Sequence, residues 1–284
     1  MNTRKIVGYT VWVCLWVVAL AAPGLAQQDE KDDTGTNPIN FTYDARLYME
    51  MSGLPSDAGS LITTTYEFRA PLGRTLSNLT NQGAGIFNDL GDRFALRLKT
   101  RHKSVNLNAD SERSGANTNF SGIGDLDVRL LAVPYMKQKF AIAGGLEAYL
   151  PTATNDALGD GRYALVPQVF FGFFGLLGPK SIFVPGYLYV ADVGGDSDRT
   201  SVDQHKIDVY FVWLLANMKN WLIINPQANF DVGNDRELFL VDAEFGFMVP
   251  QLPGASTWLR PGVGFGSDRP FDWTLEFGFK FIWR

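Results

Sequence analysis

His102 and Ser104 stand two residues apart in "RHKSV", a spacing that puts both side chains on one face of an extended chain. A histidine beside a hydroxyl is the minimum needed for nucleophilic attack on an ester, the imidazole acting as base and the hydroxyl as nucleophile. That pair would suit a hydrolase, but no acid that could orient the imidazole is identifiable, and solvated surface residues are the plainer reading. Spaced aspartates in "NDALGDGR" (155–162) and "GGDSD" (194–198) could hold a cation, yet neither completes a calcium loop, and both read as turns. The one cysteine, Cys14, lies inside an apolar leader, so the rest of the chain offers no thiol chemistry and no thiolate metal site. No catalytic residue, metal or cofactor is assigned.

The remaining charged residues follow a different logic, because they alternate with apolar ones. "FTYDARLYMEM" sets Phe41, Tyr43, Ala45, Leu47, Met49 and Met51 against Asp44, Arg46 and Glu50. "FALRLKTRHK" opposes Phe94, Leu96 and Leu98 to Arg97, Lys99, Arg101 and Lys103, and "KIDVYFVWL" opposes Ile207, Val209, Phe211 and Trp213 to Lys206, Asp208 and Tyr210. The chain closes on "WTLEFGFKFIWR", with Trp273, Leu275, Phe277, Phe279, Phe281 and Trp283 on one face. Period two is the mark of a strand with one greasy and one polar side. About 12 such segments of roughly ten residues occur, near 40–51, 60–71, 93–103, 124–134, 140–150, 162–174, 182–192, 205–215, 221–231, 237–248, 257–265 and 272–283. Ten residues is the length with which a tilted strand crosses a bilayer.

The connections alternate too. "MKQK", "LLGPKS", "NMKN" and "PQLPGAS" are short; 104–122, 151–162 and 193–204 are long and rich in Asp and Ser. Short turns on one side and long loops on the other are the habit of an outer-membrane barrel. A soluble β-sandwich alternates as well, but explains neither the two loop classes nor the aromatic ending. The expected fold is therefore an all-β transmembrane antiparallel barrel of about 12 strands (range 10–14) over residues 40–284. Trp213, Trp221, Trp258 and Trp283 all fall at short-turn ends and are expected to form an interfacial girdle. Pro167, Pro185, Pro226 and Pro261 lie within strands, where each removes a ladder hydrogen bond and favours a bulge or weakened pairing. Residues 72–92 fit no simple turn.

If the polar faces point inward, the interior is lined by Arg46, Glu50, Glu67, Arg69, Arg97, Lys99, Arg101, Asp127, Arg129, Glu147, Asp208, Asp242, Glu244, Arg260, Glu276 and Lys280. Two readings stand: a selectivity lining with Arg97, Lys99 and Arg101 as a basic ladder, or paired charges that fill a closed bore. "YALVPQVFFGFFG" and "IFVPGYLYVA" carry no charge on either face, so Val166, Phe170, Phe174 and Leu188 would make an apolar strip on the inner wall.

Residues 1–26 read as a secretory signal: Arg4 and Lys5, an apolar run to Ala22, then Gly24-Leu25-Ala26. Its removal takes two positive charges from a formal net charge of −5, leaving −7. Residues 27–39 form a polar, acidic lead-in without periodicity. An exported acidic chain without a basic patch is a poor partner for nucleic acid.

"SGIGDLDVRLLAVPYMKQKFAIAGGLEAYLPTATNDALGDGRYALVPQVFFGFFG" (121–175), with "NDLGDRFALRL" (88–98) before it, resembles the outer-membrane β-barrel transporter family associated with the meta-pathway of phenol degradation. The resemblance runs over roughly 85–284 and implies an outer-membrane, transport-like barrel. The His102/Ser104 spacing is also similar to that of lipid A deacylase barrels, which are much shorter. Barrels of the transporter kind end on an aromatic residue read by the assembly machinery; here Arg284 follows Trp283, and Phe279, Phe281 and Trp283 keep the aromatic register of that signal. The expected function is a channel for passive uptake of small hydrophobic or aromatic solutes. A structural or surface-binding barrel and an envelope-lipid enzyme are the alternatives. Expected partners are outer-membrane lipid, the barrel-assembly machinery and a small-molecule solute.

Overall fold

Strictly alternating side chains force the backbone to present one face to oil and one to polar groups, and a closed ring of strands is the way to do so without a free edge. A computed structural model describes residues 41–72, 93–107, 119–215 and 218–283. The expected leader (1–26), the lead-in (27–39), nearly all of the 72–92 segment and Arg284 lie outside the described residues. The strands are β1 (Tyr43–Gly53), β2 (Gly59–Pro71), β3 (Phe94–Leu107), β4 (Asn119–Ile123), β5 (Leu126–Lys137), β6 (Phe140–Leu150) and β7 (Arg162–Phe174). They continue as β8 (Ser181–Gly195), β9 (Asp203–Leu215), β10 (Asn220–Asp231), β11 (Arg236–Met248), β12 (Ala255–Phe265) and β13 (Trp273–Trp283). Each pairs antiparallel with its neighbours, β1 pairs with β13, and β2 pairs with β3, so the sheet closes on itself. β4 and β5 both pair with β3 and form one interrupted strand, which gives a closed 12-strand barrel. No helix among the described residues is long and apolar enough to cross a membrane.

Burial alternates with the same period as hydropathy. In β13, Thr274, Glu276, Gly278 and Lys280 are buried while Trp273, Phe277, Phe279 and Phe281 are exposed. Register carries this parity round the ring: Arg46 stands opposite Lys280 and Glu67, and Leu47 opposite Phe279 and Tyr66. The charged residues therefore face the interior and a belt of Leu, Met, Ile and Phe faces out. At the tight-turn end that belt becomes aromatic. Phe140, Phe173, Phe183, Phe211 and Trp213 follow one another at centroid distances of 5.1, 5.9, 5.1 and 6.3 Å. Trp283 stacks on Tyr43 and Phe281, each at 6.2 Å.

The expected four-tryptophan girdle needs correction. Trp213 and Trp283 belong to this belt, but Trp221 and Trp258 point inward and are 1% and 5% exposed. Strand parity explains it, since Trp221 shares its face with Asn225 and Gln227, and Trp258 with Arg260. Room for each indole comes from a glycine directly opposite. A Cβ on Gly246 would stand 2.1 Å from the Trp221 ring, and one on Gly278 2.0 Å from Trp258.

Pro167, Pro185, Pro226 and Pro261 interrupt hydrogen bonding without shifting register. Pairing skips from Ile224↔Phe211 to Gln227↔Asp208 around Pro226, and from Asp242↔Gly262 to Phe245↔Leu259 around Pro261. The bulges lie elsewhere, between Ala132 and Tyr135 and at Tyr163/Ala164. At the long-loop end the β6–β7 connection folds over the β4/β5 break. Asp125, in that break, accepts from the backbone N–H groups of Thr152 (3.0 Å), Ala153 (3.1 Å) and Asp160 (2.8 Å). Leu158 is thereby buried, and Lys103 donates to its carbonyl at 2.9 Å.

Candidate functional site: the barrel interior

The interior is built from two kinds of wall. The first spans β1, β2, β3, β5 and β6 and is ionic. Glu147 is fully buried and holds two guanidinium groups from other strands: Arg97, and Arg129 through its Nε at 2.7 Å. Glu67 lies among Arg69 at 2.7 Å, Arg46 at 3.6 Å and Arg97 at 4.0 Å. Asp44 takes Arg46 at 2.7 Å, and Asp127 takes Arg101 at 2.8 Å and Lys99 at 3.3 Å. Each cation of the Arg97–Lys99–Arg101 row thus has a carboxylate from a neighbouring strand. Buried charges persist when they are paired in this way.

On β11, β12 and β13 the proportions reverse. Arg260 alone bridges Glu244, Glu276 at 3.3 Å and Asp242 at 3.9 Å. The two interior tryptophans fix the same carboxylates, Trp221 donating to Glu244 and Trp258 to Glu276, each at 2.6 Å. Lys280 lies 5.3 Å from the centre of the Trp221 ring, a cation–π distance. Glu50 stands directly opposite Glu276 and accepts from the Ser52 hydroxyl at 3.3 Å. Asp208 lies on the interior face of β9, opposite Gly186 and Gln227.

The second wall is apolar and centres on β7 and β8. Ala164, Val166, Leu188 and Val190 form one buried cluster, and Ile182, Val184 and Val212 another. Phe170 packs on both, and Phe174 on the second. Gly186 makes this packing feasible, because a Cβ there would stand 2.3 Å from the Phe170 ring. One polar side chain interrupts the wall. Gln168 is 1% exposed, opposite Leu188 and Gly145, and neither carboxamide atom has a hydrogen-bond partner among the described residues.

The other candidates lie away from the interior. His102 and Ser104 share the outward face of β3, where their cross-strand neighbours are Thr64, Ile123, Ile62 and Ser121, none of them an acid. His205, also outward, lies 2.6 Å through its Nδ1 from the Tyr187 hydroxyl. The aspartates of 194–198 serve a turn: Asp196 accepts from the N–H of Asp198 at 3.0 Å, and its carbonyl accepts from Arg162 at 2.6 Å. Phe279, Phe281 and Trp283 lie on the outward face of β13. Sequence reasoning missed Asp125, Trp221, Trp258 and Gln168. Their signal was available, an apolar or amide residue on the polar parity of its strand, and for Asp125 a Gly-Asp step in the middle of a strand.

No family model matches the chain, and no curated protein matches it. Solved structures do. The COG4313 outer membrane channel from Pseudomonas putida F1 superposes with a TM-score of 0.65 at 12% identity, covering 90% of this chain and 100% of that one. The NanC porin gives 0.52 at 10% identity over 84% of this chain and 98% of its own, and the KdgM porin 0.50 at 6% over 85% and 99%. These likenesses carry the fold and not the cargo: the chain has the fold of outer-membrane β-barrel channels.

Proposed function

We propose that the chain is an outer-membrane channel through which small solutes with hydrophobic or aromatic bodies pass without an energy source. The observation that carries this reading is the divided interior, in which an uncharged wall on β7 and β8 faces walls whose charges are paired. Val166, Phe170, Phe174 and Leu188 would offer the solute an apolar surface, while the ion-paired residues hold the bore in shape. Residues 1–26 would direct export and be cleaved, 27–39 would lead into the barrel, and the aromatic positions of β13 would be read during insertion. Swelling of proteoliposomes tests the reading: benzoate should enter faster than a sugar of equal mass, and Phe170→Glu should reduce the benzoate rate severalfold. An absence of flux for every solute would contradict it.

A structural or surface-binding barrel is the second reading, and one observation favours it. Two of the long loops are tied together, Arg199 donating to the carbonyl of Asp156 and Arg162, at the start of β7, to the carbonyl of Asp196 at 2.6 Å. Loops ordered in this way suit a fixed recognition surface.

A further inference from the structure

Phe41 does not follow the parity of β1. Tyr43 and Ala45, its alternates, face outward, whereas Phe41 packs on Val133, Ala141 and Ala143 together with Met136, Phe170 and Phe174. Those residues belong to β5, β6 and β7, and β2, β3 and the interrupted β4/β5 strand separate β1 from β6 in the wall. The ring therefore reaches across the interior at the tight-turn end and rests on a small apolar patch of β5 and β6 that adjoins Phe170 and Phe174 of the apolar wall. A phenyl ring supplied by the chain itself already occupies that surface.

The second observation is Gln168, which shares the interior face of β7 with Phe170 and Val166, one alternate position from each. Its Nε2 and Oε1 are buried and, among the described residues, both lack a partner. Buried polar groups in folded proteins are nearly always hydrogen-bonded, and an apolar residue of the same size would pack this wall without the penalty. The donor and acceptor at one carboxamide match a neutral group that itself accepts and donates side by side, such as an amide or an un-ionised carboxylic acid.

We infer that the strip from Phe174 to Val166 is a receptor for an aromatic ring bearing such a neutral hydrogen-bonding group, with Phe41 seated beside its Phe174 end, on the Val133, Ala141 and Ala143 patch against which Phe170 and Phe174 also pack. The inference deepens the channel reading and rests on it, because this strip is the surface the solute would follow. A solute that covers the Phe174 end must displace the Phe41 ring to bind, so its apparent affinity is lowered by the fraction of molecules in which the ring is seated.

Ligand-observed NMR on the full chain folded in micelles tests this with benzamide and toluene, the heat-unfolded chain in the same micelles serving as blank. Phe41→Ala should tighten both ligands, by roughly tenfold, because the competing ring is gone. Gln168→Leu should erase the preference for benzamide over toluene, leaving the two within about twofold, while the band still shifts on heating as a folded barrel does. Unchanged affinities in Phe41→Ala would overturn the competing role of Phe41, and equal binding of benzamide and toluene to the unmodified chain would overturn the role of Gln168. Binding without any solute flux contradicts passage and leaves the receptor standing; flux without binding sinks the receptor alone.

Discussion

At the scale of single residues, the interior is ruled by the cost of unpaired buried charge. Glu147 has no exposed surface and serves both Arg97 and Arg129, so Glu147→Gln would leave two guanidinium groups short of their counter-ion. Removing one partner from a buried ionic group costs about 3–5 kcal/mol. Urea unfolding of the barrel in phospholipid vesicles should register a loss of that size, and a loss below about 1 kcal/mol would mean that water already screens the site. The sequence makes the polar face legible, since "RLKTR" and "LEAYL" alternate plainly. It does not make the pairing legible: Arg97 and Glu147 are 50 residues apart, and strand order and register decide that they meet. Trp221 was readable from parity alone and was obscured by the habit of placing tryptophan at an interface.

At the scale of strands, the period-two pattern predicted nearly every element, because one face of each strand meets one solvent. The exceptions are instructive. The β4/β5 break cannot be seen in the alternation; it arises where Asp125 turns from the ladder to capture the N–H groups of the next loop. Pro167, Pro185, Pro226 and Pro261 removed hydrogen bonds without producing bulges, because the neighbouring residues hold the same register on both sides, whereas Pro134 lies within the β5 bulge. Facing can be tested by placing one charge on either side of the wall. Phe277→Arg, in the middle of the outward belt, should destabilise the barrel by about 2–4 kcal/mol in vesicles. Leu240→Arg, on the interior face one alternate position from Asp242, should cost less than half as much. Equal penalties at the two sites would mean that both faces meet the same medium.

At the scale of the molecule, closure is the decisive feature. With β1 joined to β13 and β2 to β3, the sheet closes on itself, and the exposed belt of Leu, Met and Phe requires a hydrocarbon neighbour. The barrel was legible from loop lengths and the aromatic ending; the division of its interior into ionic and apolar walls was legible only in part, from the uncharged β7 and β8. What the sequence hid was Phe41 crossing to the far wall, since a lone phenylalanine on the outward parity of the first strand gives no sign of turning in. The most direct measurement is a scan of single cysteines carrying a nitroxide at positions 274–281, in a Cys14→Ser background, with the protein in lipid bilayers. Collisions with oxygen, which dissolves in hydrocarbon, should peak at 275, 277, 279 and 281 and fall at 274, 276, 278 and 280. A flat profile, or a water-soluble nickel chelate reaching the odd positions, would contradict a lipid-facing aromatic wall around an enclosed interior.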